Sequence, residues 1–144
     1  MIPVKRNLIQ IGIGLLPVLM GFCMSLFAVL PLFLTSLLFL ALWVWLCFRF
    51  FDAEKPVWGS FLRICLPGTL IIVLAVCQEL IPGNNLPGIL INASQFYFLS
   101  GISLAGRILT PFLRVITAWP YYIVSYSILT VLCLLTLILK KKVA

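Results

Sequence analysis

The sequence predicts an all-α, multi-pass helical membrane protein, and three observations lead there. Of its 144 residues 64% are apolar and only 9% charged, against roughly 45–50% and 25% in soluble domains. A chain this short has a large surface for its volume, and ten Lys and Arg with three Asp and Glu cannot cover it. The charges also bracket long apolar runs instead of interrupting them. Together these exclude a soluble globular domain and a disordered chain. One membrane domain over 1–144 is expected, with four spans, or five as the alternative. A kinked amphipathic helix is expected before the last span.

The first two spans follow from one run. Residues 7–48 carry no charge. As a single helix they would extend about 63 Å, twice the roughly 30 Å hydrocarbon core. The run therefore folds back as a hairpin, with spans near 8–28 and 33–51 and the turn at Pro31. Val4-Lys5-Arg6 followed by Leu8 to Phe22 resembles a signal sequence. No small-residue cleavage site follows, and Phe22 precedes Cys23, so an uncleaved anchor is expected.

Residues 49–63 read as a cytoplasmic loop carrying Arg49, Asp52, Glu54, Lys55 and Arg63. Trp43, Trp45, Phe48, Phe50, Phe51 and Trp58 crowd the same side, as interfacial anchors do. Span three is placed near 64–81, with Pro67 and Gly68 in its first turns, where proline costs least. Residues 82–88, Pro-Gly-Asn-Asn-Leu-Pro-Gly, form a turn-rich loop. The last span, near 120–139, enters at Trp119, Tyr121 and Tyr122 and stops at Lys140, Lys141 and Lys142.

The count of basic residues chooses narrowly between four and five spans. With four spans and a cytoplasmic N-terminus, Arg107 and Arg114 alone lie outside. With five, those two move in and the three lysines move out. Four spans are preferred, because residues 86–106 include Asn92, Ser94, Gln95, Ser100 and Ser103. Segment 86–118 is then re-entrant or interfacial, and both termini are cytoplasmic. A plasma membrane of bacterial cytoplasmic (inner-membrane) type fits the short loops.

That segment carries the pattern most in need of explanation. Ser100, Ser103, Arg107, Thr110, Arg114 and Thr117 are spaced 3, 4, 3, 4, 3, one stripe on a helix. Pro111 removes the bond to the Arg107 carbonyl and predicts a kink. The stripe reads as an interfacial face, as a polar seam packed on another helix, or as the lining of a conduit. In the seam reading an arginine needs a counter-charge, and Glu79 is the candidate.

The residues absent from the chain point away from catalysis. There is no His, so the commonest acid–base group and metal ligand is missing. Cys23, Cys47, Cys65, Cys77 and Cys133 stand singly and read as apolar fillers. No phosphate-binding glycine loop or nucleophile elbow occurs. Catalytic, cofactor and metal sites are all expected to be none.

Gly21-x-x-x-Ser25 and Gly101-x-x-x-Ala105 permit close helix approach. The expected function is non-enzymatic: a subunit or interaction protein of a larger membrane assembly of secretion, conjugation, phage or immunity type. Its partners would be the bilayer and other membrane subunits or further copies of the chain, not nucleic acid. The alternative is a small oligomeric transporter or channel with a Ser/Thr/Arg-lined path.

Overall fold

A computed structural model describes residues 3–26, 31–51, 56–80, 88–111 and 118–143. It is all-α, with five helices among the described residues: α1 Pro3–Leu26, α2 Leu32–Phe50, α3 Val57–Leu80, α4 Gly88–Leu109 and α5 Trp119–Val143. Four of them (α1, α2, α3 and α5) contain stretches long and apolar enough to cross a membrane. Large apolar side chains point outward along them, among them Leu8, Leu19, Leu62, Leu70, Val131 and Leu139. In water such a surface would associate; in lipid it needs no cover.

The hairpin expected from the first uncharged run is present. Pro31 stands immediately before α2 in an extended conformation and accepts the amide of Thr35 at 3.1 Å. Pairings between helices fix their directions. Gln10 near the start of α1 meets Ser60 near the start of α3. Gly14 approaches Ile64 and Pro67, so α1 and α3 run side by side in the same sense. Lys140 late in α5 reaches Phe48 and Phe51 at the end of α2. The start of α1, the end of α2, the start of α3 and the end of α5 therefore gather at one end of the bundle. We call it the basic end, since Arg49, Arg63 and Lys140 to Lys142 lie there. The end of α1, the start of α2, the end of α3 and the start of α5 lie at the opposite, far end.

Three expectations are corrected. The helix expected to carry span three begins at Val57, seven residues before 64, so Val57 to Arg63 are helical and belong to α3, not to a loop. Pro56 precedes this helix and accepts the Gly59 amide at 3.2 Å, and the apolar pattern of Val57, Phe61, Ile64 and Cys65 continues unbroken into the core. Pro67 accordingly lies inside α3, not in its first turns. Having no amide it cannot bond the Arg63 carbonyl one turn back, and its ring packs against α1 at Gly14. Trp43 and Phe51, read as interfacial anchors, are core residues at 1% and 4% exposure. Trp45 and Trp58 do lie outside.

The core runs between the helices through Phe39, Trp43, Ile64, Tyr97, Phe98, Leu129 and Leu137. The five cysteines are not all solitary in space. Cys47, Cys65 and Cys133, from three different helices, meet there, with the sulfurs of Cys47 and Cys133 3.9 Å apart and Cys65 also in contact with Cys133.

Candidate functional site

The ambiguous segment becomes α4, and it is not an appendage. It touches each of the other four helices. Phe96 backs onto Gly21 of α1, so closely that a Cβ at Gly21 would collide with the Phe96 carbonyl. Phe96 and Phe22 meet edge to face at 5.5 Å. Phe98 stacks on Tyr122 of α5 at 4.7 Å. Gly101 lies against Ser125 with no room for a methyl group. Ala105, in the same small-residue register, is fully buried. Gly21, Gly101 and Ala105 of the two small-residue motifs thus serve packing within the chain, whereas Ser25 is exposed.

These partners (late α1, early α2 and early α5) place residues 96–107 of α4 in the half of the bundle nearest the far end. Tyr97 reaches toward mid-depth, where its hydroxyl lies against Gly68. Beside it Tyr126 bonds Thr69 at 2.6 Å and the Cys65 carbonyl at 3.2 Å.

The predicted stripe divides into buried and exposed parts. Ser100 is fully buried and donates to the Tyr97 carbonyl at 3.3 Å. The hydroxyls of Ser103 and Ser36 are 2.8 Å apart. Ser103 also reaches the Leu32 carbonyl at 3.4 Å, and Ser36 bonds the same carbonyl at 2.9 Å. Arg107 lies at the far end with its guanidinium carbon 3.9 Å from the centroid of Phe33, a cation–π contact. Thr110 bonds back to the Gly106 carbonyl at 2.6 Å. Within the described residues Pro111 ends the helix rather than bending it. It stands in the turn after Leu109 and cannot donate to Arg107. Arg114 and Thr117 lie outside the described residues, as does the side chain of Glu79. The backbone of Glu79 is near the end of α3, at the far end, the same end as Arg107.

Two polar features were not anticipated. Asn92 and Gln95 are exposed on α4 and fall along one outward edge with Leu99, Ile102 and Gly106 at helical spacing. A Cβ at Gly106 meets nothing within 4 Å, so this edge is open. In the sequence both amides register only as a lowering of hydropathy over 86–106.

The second feature is a cluster at the basic end. Gln10, 1% exposed, donates to Ser60 at 3.2 Å and accepts from the Arg63 guanidinium at 3.3 Å. Its signal was a single amide within an otherwise apolar run.

Such an arrangement can hold helices together and leave an amide-bearing edge outside. The two described cavities are grooves with largely apolar walls. One, about 280 Å³, is lined by Ile72, Val73, Val76, Cys77 and Ile123; the other lies at the basic end. Comparison of the chain with family models, with curated proteins and with solved structures finds no match to any of them.

Proposed function

We propose that the chain is a small, non-enzymatic, multi-pass protein of a bacterial-type cytoplasmic membrane that serves as a subunit or interaction partner in a larger membrane assembly. The basic end faces the cytoplasm in this reading, in keeping with the bias of Lys and Arg to that side. The observation that carries the reading is the outward edge of α4. Asn92 and Gln95 are exposed on a helix whose opposite face, at Tyr97, Phe98, Gly101 and Ala105, is buried, and no described residue bonds their amides. Side-chain amides at membrane helices are satisfied by neighbouring helices, so the open edge fits a partner helix. The Ser100–Ser103 part of the stripe is consumed within the chain, which favours this reading over a transport path.

A photo-crosslinking residue placed at Gln95 in the full chain tests it. The expected result is one discrete protein adduct, with a partner recovered at fixed stoichiometry after gentle extraction. A residue placed at lipid-facing Leu62 should give none. A monodisperse, partner-free monomer with no Gln95 adduct overturns the reading. Flux through proteoliposomes that Arg107→Ala abolishes without loss of fold would establish the transporter instead.

A further inference from the structure

At the basic end, Pro56, Val57 and Trp58 of the α3 start face Leu134, Ile138 and Lys141 of α5 across a groove of about 300 Å³. Leu134, Ile138 and Lys141 are four and three residues apart and share one face of α5. The groove is therefore apolar along its length and ends in one ammonium group. Trp58 is 64% exposed at its rim, held edge-on to Phe61 at 5.8 Å. The three consecutive lysines differ in what they do. Lys140 turns inward to the carbonyls that end α2, Lys141 lines the groove, and Lys142 is exposed beside it.

We propose that this groove binds one anionic phospholipid, with an acyl chain along Leu134 and Ile138 and the headgroup phosphate on Lys141. The inference rests on the reading of the chain as a membrane protein with its basic end at a bilayer surface. Charge complementarity selects the occupant. The chain carries a net +7, and Arg49, Lys141 and Lys142 are exposed at this end. Anionic headgroups are drawn to basic residues just outside a span. A free phosphate would leave the apolar walls unused. A zwitterionic headgroup would bring a second cation toward Lys141.

The test is native mass spectrometry of the full chain equilibrated with equimolar phosphatidylglycerol and phosphatidylcholine. One retained phosphatidylglycerol is expected, preferred about fivefold, the scale of a single lysine's attraction to an anionic surface. Lys141→Gln should abolish the preference and Lys142→Gln should leave it. Ile138→Trp fills the groove with the charge intact and should also lose the lipid. Equal retention of both lipids overturns the proposal. So does an equal loss in Lys142→Gln, which marks diffuse surface charge, or undiminished binding in Ile138→Trp. Each variant is first matched to wild type in helicity. If one of Lys141→Gln and Ile138→Trp does not fold, the other decides. Extraction of the wild-type chain from membranes by alkaline carbonate overturns the membrane reading. An integrated chain without lipid preference overturns this proposal alone.

Discussion

The hydroxyl oxygens of Ser36 and Ser103 lie 2.8 Å apart and join the start of α2 to the C-terminal half of α4. Both also lie within bonding distance of the Leu32 carbonyl, so the pair forms a three-centred joint. Interhelical hydrogen bonds of this kind average only about 0.6 kcal/mol in membrane proteins, with a maximum near 1.7. A double-mutant cycle of Ser36→Ala and Ser103→Ala should give a coupling energy in that range, read from reversible unfolding in micelles. Strict additivity would show that the joint is not closed in the folded protein.

Close backbone contact makes a larger demand than any of these hydrogen bonds. Gly21→Leu would drive a side chain into the Phe96 backbone, and Gly101→Leu into Ser125. Overpacking of this kind costs about 1–3 kcal/mol, more where backbone must move. Both variants should lower the melting temperature or fail to accumulate. Gly12→Leu adds a Cβ that meets nothing within 4 Å and should be tolerated. The comparison is made by thermal scanning of the purified variants.

The core thiols supply a ruler. Cys47 and Cys133 have sulfurs 3.9 Å apart, and a disulfide needs about 2.05 Å. A membrane-permeant oxidant that takes two electrons and two protons from the pair should link α2 to α5 within one chain. The product is two mass units lighter and reverts on reduction. Cys133→Ala should abolish the link and Cys23→Ala should not, since Cys23 is exposed on α1.

Orientation is checked by cysteine accessibility. With the native cysteines replaced, Ala144→Cys should react with an impermeant maleimide from the cytoplasmic side. Asn84→Cys and Thr117→Cys should react from the opposite side. Labelling of Thr117→Cys from the cytoplasm would overturn this four-span orientation; Asn84→Cys then separates an inverted bundle, in which it is also labelled from the cytoplasm, from five spans, in which it is not.

Helix class and the apolar runs of the four candidate spans were legible in the sequence because charge and hydropathy are local. Pro31 marked its turn for the same reason. The start of α3 was not, because Arg49 to Arg63 looked uniformly polar while the periodicity of Val57, Phe61 and Ile64 was hidden among charges. The stripe on α4 was visible as spacing, but its division was not. Whether Ser103 meets solvent or Ser36 depends on a contact across 67 residues. The meeting of Cys47, Cys65 and Cys133 was hidden for the same reason, since no short motif joins residues on three helices.

The joint between α3 and α5 has a consequence for how such a chain can change over time. α3 leaves the bundle at the far end and α5 enters there, so everything from 81 to 118 is inserted with even parity. A version joined directly from Leu80 to Trp119 by a short hairpin would keep the orientation of every remaining span. Orientation of the C-terminus therefore places no constraint on α4, and what holds its sequence in place is packing alone: the faces that meet Gly21 and Ser125 are fixed, while the edge of Asn92 and Gln95 is free to change with a partner.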